Sequence, residues 1–184
     1  DGVELAGEYG EFHDDPAGLA SFLGSQGLAV SGAHTVFSEL SDDKIEATLS
    51  YFQRAGVPIV IIAWDDRAFT ENSVWQTIAD LNRLLPKVES YGMRFGYHNH
   101  VEEFGAYRNT TLWDHIARST PDSLVLQLDV GWAATAGVNP EEYVRKYPGR
   151  TVTTHIKTAK KDAAIDAVVQ SKVAIVGQDT TDWV

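Results

Sequence analysis

Short hydrophobic runs alternate along the chain with longer stretches in which apolar residues recur every three or four positions. β-Branched and aromatic residues gather over 3–6, 28–33, 58–64, 93–98, 124–129 and 151–157, which predicts six strands. Helices are predicted between them, over 16–25, 42–55, 71–91, 111–118 and 140–146. The ends of these helices carry fitting residues. Asp15 before Pro16 and Asn139 before Pro140 each place a side-chain oxygen near the first free N–H groups, and Ser41-Asp42-Asp43 offers the second helix an acidic start. Gly27, Gly56 and Gly92 fall where helices should stop. Residues 159–172 read as a helix or loop, and 173–176 as a short apolar strand or a loop packed on the rim.

Predicted strands begin roughly 25 to 36 residues apart, the length of one βα unit, so the class is α/β with a parallel sheet covered by helices. The architecture favoured is a parallel (β/α)8 TIM barrel, with an open doubly wound sheet as the alternative. A closed barrel takes eight units and typically ~250 residues. The chain therefore reads as one incomplete barrel domain over 1–184, lacking about one unit at each end.

Composition narrows the function. Fifteen basic against 26 acidic residues give a net charge of −11, and the basic residues form no stripe, which disfavours nucleic acid and anionic membranes as partners. With no cysteine, disulfides, thiolate nucleophiles and cysteine-zinc sites are excluded. No apolar run reaches the ~18–20 residues that span a bilayer, so a cytoplasmic protein is expected. Asp1 in place of an initiator Met leaves room for a removed signal peptide. No glycine-rich phosphate loop, Gly-x-Ser-x-Gly elbow or zinc-protease helix motif occurs.

Metal-capable side chains cluster where three strands run out. Alternation puts Gly96, His98 and His100 on one face, Gln127 and Asp129 on another, and Thr153 and His155 on a third. Two inward imidazoles at one strand end need partners or a metal, whereas Asp129 alone reads equally as a helix N-cap and His155 alone as a half-buried structural histidine. Asp129, His155 and His98 together make a mixed nitrogen and oxygen donor set for a divalent ion such as Mn²⁺, Zn²⁺, Co²⁺, Fe²⁺ or Mg²⁺. Such an ion polarises a carbonyl or diol, with His98, His100 and Lys157 as candidate catalytic groups that shuttle protons or hold charge. Glu4, His34, Trp64, Asn99, Trp132 and Lys157 are candidate contacts for a small sugar or polyol. Taken singly, Lys157 reads better as a snorkelling rim lysine, and the tryptophans equally as rim packing. Of Glu102 and Glu103, one is expected to point into the mouth and the other into solvent, while His13 and His115 are expected to be structural or surface residues.

The segments GVELAG, SGAHT, GMRFGYHNHVEEF, LQLDVGWAATAGVNPEEYVRKYPGR and THIK, with a weaker VGQDTTDW, resemble the sugar phosphate isomerase/epimerase family in order over nearly the whole chain. These are xylose isomerase-like TIM barrels, related to inosose dehydratases and more distantly to endonuclease IV. The resemblance implies a divalent metal at the C-terminal mouth, held by an acid on a middle strand, an Asp, a His and an acid on the last strand. It further implies 1,2-proton transfer through an enediolate. On this chain the family Asp falls on Asp129 and the family His on His155, while the first acid falls on His98 and the last-strand acid has no counterpart. Where many members read HLKD, this chain has His155-Ile156-Lys157-Thr158, and VGxG becomes Val176-Gly177-Gln178-Asp179. These departures weigh against a two-carboxylate mechanism. The expected activity is a metal-dependent isomerase or epimerase on a sugar or sugar phosphate, with an inosose dehydratase-like lyase as its neighbour and a non-catalytic carbohydrate-binding barrel as the alternative of a different class. An oligomer is compatible with the sequence.

Overall fold

A computed structural model describes residues 1–157. In chain order its regular elements are β1 (Gly2–Leu5), α1 (Pro16–Ser25), β2 (Ala29–Thr35), α2 (Ile45–Arg54), β3 (Ile59–Ile62), α3 (Val74–Ser90), β4 (Arg94–His98), a hairpin of β5 (Ala106–Tyr107) and β6 (Thr110–Thr111), α4 (Leu112–Arg118), β7 (Val125–Asp129), α5 (Val130–Thr135), α6 (Pro140–Lys146) and β8 (Thr154–His155). Six strands pair in the order β1-β2-β3-β4-β7-β8, all parallel, and curl into part of a TIM barrel. The expected barrel, rather than the doubly wound sheet, is what the sheet forms. The readings over 159–172, 173–176 and 176–179 lie outside the described residues.

Parity along each strand separates two layers. Val60, Ile62, Phe95, Tyr97, Leu126 and Leu128 point outward into one apolar core with the helices. Val74, Ile78, Leu81, Leu85 and Val88 form the matching stripe of α3 at three- and four-residue spacing. Removing a fully buried ring such as Phe95 from this layer costs ~3–5 kcal/mol. The opposite parity faces the barrel interior and turns polar toward the C-terminal strand ends. At Gly96 that interior is so narrow that an added Cβ would lie 2.6 Å from the Val125 carbonyl oxygen and 2.7 Å from Ile61 Cδ1.

The capping residues act as expected at most helices. Asp15 Oδ1 accepts from Gly18 N–H at 2.9 Å, and Asn139 Oδ1 from Glu141 N–H at 3.0 Å. Thr111 and Asp114 form a reciprocal capping box on α4. Gly27, Gly56 and Gly92 take positive φ values of 72°, 76° and 79°. The second helix differs from expectation: it starts at Ile45 behind Lys44, with no side-chain cap, because Ser41 Oγ turns back to the Ser38 carbonyl. The last strand is also shorter than the predicted 151–157. It pairs with β7 only through Leu128↔Thr154 and Asp129↔His155, since the buried Arg150 guanidinium anchors the preceding chain on the Leu124 and Ala117 carbonyls and on Thr120 Oγ1. The hairpin and α5 had no counterpart among the predicted elements. Among the described residues no helix is long and apolar enough to cross a membrane.

Candidate metal centre

Glu4 reaches the interior through a local irregularity of the sheet. The register of β1 on β2 runs Val3↔Val30 and then Glu4↔Gly32, so Ser31 is an extra residue and the strand twists at that point. Gly32 leaves room for the acid, since a Cβ there would stand 2.9 Å from Glu4 Oε1. The carboxylate then meets three other strands. Gln127 Nε2 donates to Glu4 Oε1 at 2.7 Å, the His155 Nε2 lies 2.5 Å from Oε2, and His34 Nε2 lies 3.5 Å from the same oxygen.

The imidazoles of His34, His98 and His155 form a compact group. Their ring centroids stand 5.1 Å (His34–His98), 5.0 Å (His34–His155) and 4.6 Å (His98–His155) apart, and one nitrogen from each lies within 4.8 Å of the others. Gln127 Oε1 faces His34 Nε2 at 2.7 Å and His98 Nδ1 at 3.0 Å. Asp129 completes the cluster, its Oδ2 3.8 Å from His98 Nε2 and 3.9 Å from His155 Nδ1. Its Oδ1 accepts the Trp132 N–H at 2.8 Å, so Asp129 also caps α5. The two sequence readings of this residue, N-cap and site carboxylate, use different oxygens.

Burial and neighbours set the charges. Burial, aided by His155, His100 and His34 nearby, pushes His98 down to about 2. His100 falls to about 4 through burial and the positive field of Lys157. Both rings are neutral at physiological pH, the form that can ligate a metal or accept a proton. The hydrogen bond to Glu4 raises His155 against its desolvation. Burial alone would raise Glu4, but the bonds from His155 and Gln127 and the charge of the histidines outweigh it and leave Glu4 below its ordinary value. Asp129 is raised by burial, against the pull of the Trp132 N–H and Lys157.

A second group surrounds His100. Its ring lies edge-on to Trp64 at 4.6 Å and 6.0 Å from Trp132, and its Nδ1 is buried with no hydrogen-bond partner among the described residues. Lys157 Nζ sits 3.5 Å from the centroid of the Trp132 ring, a cation–π contact. Burial lowers the Lys157 pKa, partly offset by Asp129. Trp64 is half exposed, while Trp132 is buried. Beside His34, a cavity of about 680 Å³ runs outward past Tyr9, Val36 and Tyr51, a volume suited to a small molecule.

The structure thus brings together Glu4, His34, His98, Asp129 and His155, with His100, Trp64, Trp132 and Lys157 beside them. It does not bring in Asn99, which was expected to touch substrate. That side chain is fully buried and committed to β7, its Oδ1 accepting Asp129 N–H at 2.9 Å and its Nδ2 reaching the Asp129 carbonyl at 3.4 Å. Two further residues were noted in the sequence without a specific role. Gln127 is the hub of the cluster, and its signal was a lone polar residue two before Asp129 in an apolar strand. Glu103 is the buried member of its pair but does not enter the mouth: it accepts from the O–H of the outward-facing Tyr97 at 2.7 Å and from His100 N–H at 2.8 Å and so holds the His100 backbone.

No known family's model matches the sequence, and no curated protein matches it. Solved structures do match in fold. A sugar phosphate isomerase/epimerase from Parabacteroides distasonis superposes with a TM-score of 0.73 at 21% identity, over 92% of this chain and 73% of that one. A probable 3-DHS dehydratase from Bacillus anthracis gives 0.70 at 12% identity, over 90% and 66%. An AP endonuclease, family 2, from Brucella melitensis gives 0.60 at 12% identity, over 92% and 77%. The chain shares the TIM-barrel fold of these proteins, and its described residues form six parallel strands of such a barrel.

Proposed function

We propose that this protein is a metal-dependent enzyme that removes a proton next to a carbonyl of a sugar or sugar phosphate, as an isomerase or epimerase working through an enediolate. The observation that carries this reading is the meeting of three imidazoles with Asp129 at the C-terminal ends of parallel barrel strands, where barrel enzymes place their chemistry. The donor chemistry fits a divalent ion. Neutral histidine nitrogens and a carboxylate suit Mn²⁺, Zn²⁺, Co²⁺ or Fe²⁺, with Mg²⁺ less favoured by nitrogen ligands. His98, His155 and Asp129 would hold the ion, which when bound supplies Lewis acidity to a substrate carbonyl and so acidifies the neighbouring C–H.

The chain's own residues do the rest. His100, kept deprotonated by burial and by Lys157, takes the proton at its imidazole, and the Glu103 carboxyl holds it in place through the backbone. Lys157, anchored on the Trp132 face, balances negative charge that develops on a substrate oxygen. The half-exposed Trp64 flanks His100 and offers an apolar face to a sugar ring, while the buried Trp132 limits water around the base. His34 lines the side cavity with Glu4 beside it, and the two contact substrate hydroxyls. A lyase on a keto-polyol opens with the same proton removal, and the fold it would use is that of the B. anthracis dehydratase.

Elemental analysis of the purified full chain beside an Asp129→Ala/His155→Ala variant tests the reading. Near-stoichiometric metal that the variant loses, together with solvent-deuterium uptake into a keto-sugar, is the expected result. No metal in either protein overturns it in favour of a carbohydrate-binding barrel without turnover.

A further inference from the structure

The amide of Gln127 touches side chains of three other strands and of Thr153 just before β8, and only one orientation of it is tolerable. Its Nε2 lies 2.7 Å from Glu4 Oε1 and 3.4 Å from Thr153 Oγ1. A carboxylate oxygen only accepts, so the NH₂ must stand there; the reversed amide would press two acceptors together at 2.7 Å. The amide oxygen is thereby committed to His34 Nε2 at 2.7 Å and His98 Nδ1 at 3.0 Å. That oxygen has two lone pairs and no proton. Both ring nitrogens must therefore be N–H donors.

A neutral imidazole carries one N–H, so each commitment frees the opposite nitrogen. On His98 the lone pair is left at Nε2, which faces Asp129 Oδ2 at 3.8 Å. On His155 in its neutral form, the form that ligates a metal, the proton lies at Nε2 toward Glu4, and the Nδ1 lone pair faces the same Asp129 oxygen at 3.9 Å. Three acceptor atoms thus converge with no donor between them, an arrangement that is costly to leave bare and suited to a cation. His34 differs: the nitrogen nearest the cluster is the one that Gln127 occupies.

We propose that Gln127 is a positioning residue that fixes the tautomers of His34 and His98, selects His98 Nε2, His155 Nδ1 and Asp129 Oδ2 as the metal donors, and holds His34 out of the set for substrate. This rests on the metal-dependent reading above. Proximity alone would have grouped His34 with His98 and His155; the hydrogen-bond bookkeeping replaces it with Asp129.

The first test needs no metal. Ring-nitrogen NMR of the ¹⁵N-labelled, metal-free full chain at neutral pH should show His98 protonated at Nδ1 and bare at Nε2. His98 protonated at Nε2, or at both nitrogens, overturns the assignment. Gln127→Met, close in shape but without an acceptor, should lose the His98 preference and bind Co²⁺ about 10- to 100-fold more weakly, the range for lost partners of metal ligands. Gln127→Glu, whose carboxyl must keep a proton toward Glu4 Oε1, still offers an acceptor oxygen to His98 and should recover the His98 tautomer. In Co²⁺ titrations His34→Gln should bind like the parent and His98→Gln should not; equal losses in the two overturn the donor set. A parent that binds no Co²⁺ sinks the metal reading and the donor set with it, while the ring-nitrogen spectrum still decides whether Gln127 sets the tautomers.

Discussion

Glu103 should make this protein less stable as pH rises through the weakly acidic range. The side chain is fully buried, and burial pushes its pKa up to about 7 from an ordinary 4.5, although Tyr97 O–H and His100 N–H both donate to it. The sign follows from which state holds the proton. Below pH 4.5 the carboxyl is protonated in both folded and unfolded chains. Between 4.5 and 7 the unfolded chain ionises first while the native state keeps its proton, so stability falls with rising pH; above 7 both are ionised and the curve flattens. At ~1.4 kcal/mol per pH unit, that window is worth about 3 kcal/mol. Glu103→Gln removes the titration and keeps an acceptor for the His100 N–H. Urea unfolding of both proteins at several pH values from 4.5 to 8 isolates the effect from other carboxylates. The stability of the parent relative to the variant should drop by about 3 kcal/mol across the window. A flat difference, or one that grows with pH, would refute the reasoning and show that the two donated hydrogen bonds outweigh burial.

Two other changes probe the scaffold. Gly96→Ala drives a methyl to 2.6 Å from the Val125 carbonyl oxygen, a backbone atom that cannot swing aside, and should cost ~1–3 kcal/mol in a denaturant melt; an unchanged midpoint would mean the interior can widen. Arg150→Lys keeps the charge but loses the fork that serves Leu124, Ala117 and Thr120 together, leaving buried acceptors unpaired at ~1–3 kcal/mol each, so the thermal midpoint should fall by several degrees. Full retention of stability in the lysine variant would show that charge alone suffices there.

The central strands β3, β4 and β7 were legible because they are buried on both faces and so read as apolar runs. The helices were legible from their caps and stops: α1 and α6 begin and end where Asp15-Pro16 and Asn139-Pro140 predict. The short α5 was hidden because its first turn, Val130-Gly131-Trp132, continues the apolar run of β7, and only the Asp129 cap separates them. Face parity placed His98, Asp129 and His155 in one space without any knowledge of contacts. It put Gln127 on the face of Asp129 without giving it a role, and it missed the roles of Glu103 and Asn99, whose partners are set by how closely β4 and β7 approach and by the chain path after His100. Alternation says which face a side chain takes; it does not say whether the partner there is a substrate or the next strand's backbone.

Glu4 and His155 make the strongest case that the centre is a property of the barrel and not of any local motif. They sit on β1 and β8, the two edge strands of the described sheet, yet their side chains meet at 2.5 Å. In a flat six-stranded sheet those edges would stand ~24 Å apart at the usual spacing of neighbouring strands. Only curvature brings them together, with Gln127 and His34 filling the lumen between. The three proposed donors lie on the neighbouring strands β4, β7 and β8, but Glu4 joins them only once the whole sheet has curled. It follows that breaking the Glu4–His155 contact, which joins residues 151 apart in sequence, should loosen both edges at once: Glu4→Gln should raise amide hydrogen exchange in β1 and in β8 together. Faster exchange confined to β1 would show that the curl is set by the helices outside and that the polar cluster merely occupies it.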